Sequence, residues 1–167
     1  MKRILFALLI FTGAMAHAQT KATKAFGVGL ELGAPTNSIY TIGFGGSGKA
    51  EVPLADALSF TVTAGYTSFY YKSALIGSST SPDPAGYLPL KGGIKYFFSE
   101  GVYAEGEAGN VFETNYGKGN MFVFAIGPGF TIPTGKHAGV DVGFRYENWG
   151  GGRLKQTGIK VAYRFGG

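Results

Sequence analysis

A hydrophobic alternation with a period of two residues recurs along most of the chain. Large apolar side chains occupy every second position, and glycine and charged residues fill the positions between them. This period is that of a β-strand, in which successive side chains point to opposite faces of the sheet. The pattern occurs in eight segments: residues 25–34, 40–51, 58–70, 87–98, 102–111, 121–132, 139–148 and 157–165.

The lengths of these segments favour strands that cross a bilayer. A tilted transmembrane strand needs about nine to eleven residues, whereas soluble strands usually have about five or six. Short connections at 53–57, 99–101 and 133–138 contrast with the longest opposite connection at 71–86. The sequence therefore predicts an eight-stranded antiparallel up-and-down transmembrane β-barrel with both termini in the periplasm. Its outward loops are then residues 35–39, 71–86, 112–120 and 149–156.

Alternation alone leaves open which face lies inside, because a lipocalin-like soluble barrel has the same period with its apolar face inward. An eight-stranded barrel has room for only a limited set of side chains, and about thirty large apolar residues exceed it. We therefore expect these residues, Tyr40 among them, to face lipid, and the glycine-rich face to line a narrow lumen. We expect an interfacial aromatic girdle from Tyr71, Tyr87, Phe112, Tyr116 and Trp149.

The predicted lumen face carries six acidic and six basic side chains. Buried charges persist when they are paired, and equal numbers permit pairing. We expect a closed ion-pair network rather than a transport path, because so narrow a lumen leaves no open aqueous channel. The predicted network consists of Glu31, Lys49, Glu51, Lys91, Lys95, Glu105, Glu107, Asp141, Arg145, Glu147, Lys160 and Arg164.

One pair of lumen carboxylates has a spacing with a second interpretation. Glu105 and Glu107 lie on one face at strand spacing, which would suit acid–base chemistry or a cation site. Basic residues at corresponding positions of the preceding strand offer a simpler arrangement. We expect the two carboxylates to pair with Lys91 and Lys95.

The first 18 residues have the composition of a secretory signal peptide. Lys2 and Arg3 precede an apolar run at 4–11, and the small residues Ala16 and Ala18 flank His17 in a cleavage site. The apolar run is shorter than the roughly twenty residues of a membrane-spanning helix, which disfavours an uncleaved anchor. We expect residues 1–18 to be removed and residues 19–167 to form one barrel domain.

Composition excludes several classes of function. The chain has no cysteine, and therefore no disulfide, thiolate metal site or cysteine nucleophile. No metal-ligand spacing of histidine and cysteine occurs, and we expect no cofactor. The formal net charge of +5 includes Lys2 and Arg3. The other basic residues are scattered singly, which disfavours a nucleic-acid partner.

Residues 43–50, with the sequence GFGGSGKA, match Gly-x-Gly-x-x-Gly and most of a phosphate-binding P-loop. A P-loop needs Ser or Thr after its lysine and a helix that begins there. Here Ala50 follows Lys49, and Pro53 comes soon afterwards. We interpret this segment as a glycine-rich strand that lines the lumen.

The end of the chain carries the most specific motif. Residues 156–163, with the sequence QTGIKVAY, have the pattern polar-x-Gly-x-x-hydrophobic-x-hydrophobic, and Phe165 follows as an aromatic ending. In this ending and its eight segments, the chain resembles the OmpA/OmpX-type family of small outer-membrane β-barrels over essentially all of residues 19–167. The resemblance implies a location in the cell outer membrane and recognition of the last strand by the barrel assembly machinery. The implied recognition residues are Gly158, Val161, Tyr163 and Phe165.

Members of this family differ in function, and three functions remain open. The leading one is a non-enzymatic barrel that serves envelope integrity or surface interaction through its loops. The second is a lipid A-modifying deacylase or acyltransferase with catalytic His and Ser, and the third is a small gated pore. His137 lies in a predicted periplasmic turn, far from Ser78, Ser79 and Ser81 in an outward loop, so we expect no catalytic set.

The outward loops carry an excess of basic residues. Such side chains form strong hydrogen bonds with phosphate, and the outer leaflet of this membrane contains lipopolysaccharide. Solvated loop charge is the favoured interpretation, and contact with lipid phosphate is the alternative. We expect a monomer that contacts outer-membrane lipid, and the candidates for phosphate contact are Lys72, Lys118, Arg153 and Lys155.

Overall fold

The computed structural model describes residues 22–36, 38–73, 82–117 and 119–166. Each strand pairs antiparallel with the next, and the last pairs with the first, so the sheet closes into a barrel. The eight-stranded antiparallel fold predicted from the alternation is confirmed. The strands are β1 (Ala25–Thr36), β2 (Tyr40–Ala55), β3 (Leu58–Tyr71), β4 (Ala85–Ser99), β5 (Val102–Glu113), β6 (Asn120–Gly135), β7 (Ala138–Trp149) and β8 (Leu154–Phe165). No helix in the described ranges is long and apolar enough to cross a membrane.

The two ends of the barrel differ in their connections. At the end that carries the chain termini, hereafter the terminal end, two-residue turns join the strands at 56–57, 100–101 and 136–137. At the opposite end, hereafter the loop end, the connections are 37–39, 72–84, 114–119 and 150–153. This asymmetry agrees with the predicted contrast between short turns and longer loops.

The predicted turns at 53–57 and 133–138 were too wide. Pro53 pairs with Ser59 and Pro133 with Gly139, so each proline lies within its strand. The register shifts immediately after each proline. A proline has no backbone N–H to donate to the neighbouring strand, and a strand tolerates this loss beside an irregularity in the pairing.

Large apolar side chains cover the outside of the barrel, as expected. Leu30 and Phe122 are each 60% exposed, and exposed apolar residues occur on every strand. Soluble proteins rarely expose so large an apolar surface, which is stable in contact with hydrocarbon. The barrel is therefore a transmembrane one.

Tyr40 is an exception to the predicted orientation. The register shifts between Tyr40 and Ile42, and this shift turns the tyrosine inward, where it is 8% exposed. A one-residue change of register moves a side chain to the other face of the sheet. The expectation that Tyr40 faces lipid was wrong.

Glycines in the wall make room for rings in the lumen. A Cβ atom at Gly43 would lie 2.5 Å from Cε1 of Phe69, and one at Gly129 would lie 2.7 Å from Cε2 of Tyr103. Both separations are well below van der Waals contact. The glycine-rich face thus lets large side chains enter a narrow barrel.

Candidate functional site

The middle of the lumen contains all twelve charged residues of the predicted network, hereafter the charged layer. Each of them takes part in at least one ion pair. Lys91 lies between two carboxylates, with its Nζ 2.8 Å from Oε1 of Glu147 and 3.0 Å from Oε2 of Glu107. Arg145 contacts Glu31 and places its Nε 3.0 Å from Oε1 of Glu147. Chains of alternating charge therefore connect strands across the barrel.

The second half of the charged layer lies nearer the terminal end. Lys95 Nζ is 2.9 Å from Oε1 of Glu51 and 3.4 Å from Oδ2 of Asp141. Arg164 places its Nη2 3.1 Å from the other oxygen of Glu51. This carboxylate thus bridges two cations from β4 and β8.

The partners of Glu105 differ from the expected ones. Glu105 and Lys95 are register partners on β5 and β4, yet Glu105 contacts Lys49 of β2. Lys95 turns to Glu51 and Asp141 instead. In so narrow a lumen a long side chain reaches the opposite wall as easily as the next strand, so strand adjacency does not fix the pairing.

Hydroxyl groups donate additional hydrogen bonds to two of the carboxylates. Thr63 donates to Glu107 at 2.6 Å, and Thr131 donates to Asp141 at 2.8 Å. Tyr103 donates to the second oxygen of Asp141 at 3.0 Å, and its ring lies 3.8 Å from Lys95 Nζ. A buried ion pair is favourable only when such bonds satisfy its other polar atoms.

The terminal end of the lumen is closed by two rings and the start of the described chain. Phe97 and Tyr103 are buried together with Ala22. The Ala22 amide donates to the Asp56 carbonyl at 2.5 Å, and Arg164 donates to the Thr23 hydroxyl at 3.3 Å. Residues 22–24 therefore lie across this mouth of the barrel.

Four aromatic residues fill the loop end of the lumen, hereafter the aromatic layer: Tyr40, Phe69, Tyr87 and Trp149. Neighbouring ring centroids lie 5.2 to 5.6 Å apart, and the Tyr40 and Tyr87 hydroxyls are 3.0 Å apart. Trp149 Nε1 donates to Glu147 at 3.0 Å, which joins this layer to the charged layer. Aromatic rings thus lie at both ends of the lumen.

The aromatic layer corrects the predicted girdle. Tyr87 is 5% exposed and Trp149 is 2% exposed, so both lie inside the barrel rather than at the lipid interface. Tyr71 is partly buried against Tyr40, with ring centroids 5.0 Å apart, whereas Phe112 and Tyr116 are exposed. The sequence contained a sign that Tyr87 and Trp149 face the lumen. Tyr87 lies four residues before the lumen residue Lys91, and Trp149 two after Glu147, so both share the lumen phase.

Above the aromatic layer lies a cavity of about 540 Å³, hereafter the mouth pocket. Lys72 and Arg153, which come from different loops, both line it, and Tyr40 and Tyr87 contribute to its wall. Two of the four predicted phosphate contacts therefore meet in one place. Lys155 lies outside the mouth pocket, on β8, and Lys118 lies outside the described residues.

The remaining predicted residues are dispersed. His137 is exposed in the 136–137 turn at the terminal end, while Ser78, Ser79 and Ser81 lie outside the described residues. Residues 43–50 lie within β2. The described ranges contain no group of side chains arranged to hold a metal ion.

The four residues of the C-terminal motif lie on β8. Val161, Tyr163 and Phe165 are exposed on the outer face of the barrel, and Gly158 lies on the lumen side. Recognition of this motif by the assembly machinery stays a prediction.

Solved structures with the same fold include two outer-membrane proteins. Ail of Yersinia pestis is 13% identical, covers 87% of this chain and 99% of its own, and superposes with a TM-score of 0.59. Ail in complex with the heparin analogue sucrose octasulfate gives 0.52 at the same identity and coverage. OprG of Pseudomonas aeruginosa is 12% identical, covers 89% of this chain and 95% of its own, and gives 0.57. The sequence matches no protein-family model and no curated protein. These likenesses establish the fold.

Proposed function

We propose that the chain is a monomeric outer-membrane barrel with a closed lumen, whose loop end faces the cell exterior and binds anionic surface groups through the mouth pocket. The orientation is supported by the short turns at the terminal end and the longer connections at the loop end. Export through the signal peptide at 1–18, which lies outside the described residues, and folding by the barrel assembly machinery belong to the same proposal.

The closed lumen is supported by how completely it is filled. The cavity that borders Lys49, Glu105 and Lys160 has a volume of about 20 Å³, which is room for a single water molecule. Rings lie above and below the charged layer. An ion that crossed this lumen would have to break buried ion pairs and move packed rings, both of which are costly.

The observation that carries the binding proposal is the meeting of Lys72 and Arg153 in the mouth pocket beside two tyrosines. Two cations in one concave site suit a phosphate or sulfate group, and tyrosine faces suit the apolar faces of sugar rings. The Ail complex with a sulfated sugar is an example of anion binding on the same fold. A phosphorylated or sulfated saccharide is therefore the ligand class that we propose.

Binding is tested with sucrose octasulfate as the probe and purified, detergent-solubilised protein in a titration calorimeter. We expect saturable binding at low salt, weakened at least tenfold in the double variant Lys72→Gln, Arg153→Gln, because both removed charges line the pocket. The matched control, Lys136→Gln, removes a charge from the terminal end. Equal weakening by the control would show non-specific attraction and contradict the proposal.

The closed lumen is tested by planar-bilayer recording. We expect the folded wild-type protein to conduct little, because the charged layer fills the lumen. Stable, reproducible conductance of porin size would contradict this part of the proposal and favour the pore.

A further inference from the structure

The outer wall of the barrel contains a groove of about 760 Å³ near the loop end. The strand registers place its residues in two adjacent rows. One row contains Ala34, Thr157 and Tyr146, which are register partners across β1, β8 and β7. The row below it contains Leu32, Ile159 and Phe144. Small side chains thus form a notch at Ala34 and Thr157, with large apolar side chains below it.

A polar row lies immediately above this notch. Lys155 pairs with Thr36 on one side and with Asn148 on the other. Lys155 precedes Thr157 by two residues on β8 and therefore lies about 7 Å nearer the loop end. The Lys155 side chain lies beside Gly152 in the 150–153 connection. The groove thus has an apolar floor, and one cation lies in the row above it.

We propose that this groove is a binding site for one lipid A molecule of the outer leaflet, with an acyl chain in the notch and a phosphate on Lys155. The occupant must be a membrane component, because the notch lies among the exposed apolar side chains that face hydrocarbon. A phosphate accepts from the Lys155 ammonium in a charge-assisted hydrogen bond.

Lipid A, rather than a glycerophospholipid, follows from the position of the groove at the loop end. This step rests on the proposed orientation, in which the loop end faces the exterior. The mouth pocket is a different site, since Lys72 and Arg153 do not line the groove. Binding at the two sites can therefore fail independently.

The site is tested by native mass spectrometry of the protein in detergent, titrated with bis-phosphorylated lipid A, its dephosphorylated form or phosphatidylglycerol. We expect one lipid A to be retained on the wild-type protein. Lys155→Gln should weaken this binding about tenfold, because it removes the cation. Thr157→Trp and Ala34→Trp, which each fill the notch with a large apolar side chain, should weaken it at least as much.

Two matched controls accompany these variants. Ala64→Trp adds the same side chain to an exposed position of β3 outside the groove, and Lys136→Gln removes a charge from the terminal end. Both should retain lipid A like the wild type, and heat-dependent gel mobility shows that each variant is folded. Equal retention of lipid A by Thr157→Trp and Ala64→Trp would overturn the site.

The three lipids separate the remaining outcomes. Loss of binding on dephosphorylation supports the contact between Lys155 and phosphate. Preference for phosphatidylglycerol over lipid A would overturn the assignment to lipid A. Lipid A binding without any binding of sucrose octasulfate would leave the groove intact and refute the mouth pocket, and the reverse result would refute the groove alone.

Discussion

The charged layer and the aromatic layer fill the same lumen by different means. Both lie behind glycine-rich walls, and both consist of large side chains that are almost fully buried. In the charged layer each group requires a partner of opposite charge at hydrogen-bonding distance, because an unpaired buried ion is very costly. In the aromatic layer the rings are stabilised by packing contacts, which many different neighbouring side chains can provide equally well. Loss of one ion should therefore disturb the barrel more than loss of one ring.

Glu147 joins the two layers and offers the strongest test of this difference. Its carboxylate lies 2.8 Å from Lys91 and 3.0 Å from Arg145, and it accepts hydrogen bonds from Trp149 and Gln156. Glu147→Ala should lower the free energy of unfolding by about 5 kcal/mol, because buried cations lose a counter-charge. Urea unfolding in detergent micelles, followed by circular dichroism, measures the change.

The matched control is Glu100→Ala, which removes an exposed carboxylate from a turn at the terminal end. It should unfold within about 0.5 kcal/mol of the wild type. If the two variants unfolded alike, the charged layer would not depend on its ion pairs.

Trp149 tests the aromatic layer. Trp149→Ala should cost about 3 kcal/mol, since it deletes a buried ring that packs against Phe69 and Tyr87. Trp149→Phe keeps one ring of the pair, removes the hydrogen bond to Glu147 and loses part of the packing, so it should cost about 1 kcal/mol. The same unfolding experiment measures both. A cost for Trp149→Phe as large as that for Trp149→Ala would show that this layer, too, depends on a specific polar bond.

Glycine-to-alanine substitutions test how tightly the rings fit. Gly43→Ala would place a methyl group 2.5 Å from the Phe69 ring, and we expect a loss of about 1 to 3 kcal/mol from overpacking. A Cβ atom at Gly106 would have no other heavy atom within 4 Å, so Gly106→Ala should be nearly neutral. Equal thermal unfolding temperatures for the two variants would show that the aromatic layer shifts to accommodate the methyl group.

Lys72 should give the smallest effect on stability. It is exposed at the loop end, outside both layers, so Lys72→Ala should unfold within about 0.5 kcal/mol of the wild type. Its binding of sucrose octasulfate should nevertheless weaken, and calorimetry on the same samples measures this. A destabilised Lys72→Ala would place this lysine in the packed structure rather than in a binding site.

The same comparison shows how far the sequence predicts the structure. The alternation and the limited interior volume were sufficient for the strand number, the apolar exterior and the location of all twelve charges. The ion-pair partners of Glu105 and Lys95 were not predictable, because long side chains in a narrow lumen can reach several strands. The orientation of Tyr40 was predicted wrongly because a register shift between two strands cannot be seen in the alternation of one strand's residues. The groove at Ala34 and Thr157 depends on the alignment of three strands, which periodicity does not give.

The seam between β1 and β8 has a consequence for how the barrel forms. Every other strand pair joins neighbours in sequence, whereas this one joins Phe26 to Phe165. The entropy lost on closing a chain segment grows with the logarithm of the segment's length. Once the seven hairpins have formed, the effective loop between β1 and β8 is short, and the entropic cost of pairing these strands is small. Before the hairpins form, this pairing is the slowest, because contacts between residues distant in sequence limit folding rates. We therefore expect the barrel to close last along β1 and β8, and until it closes, two strand edges are unpaired and available for pairing with other chains.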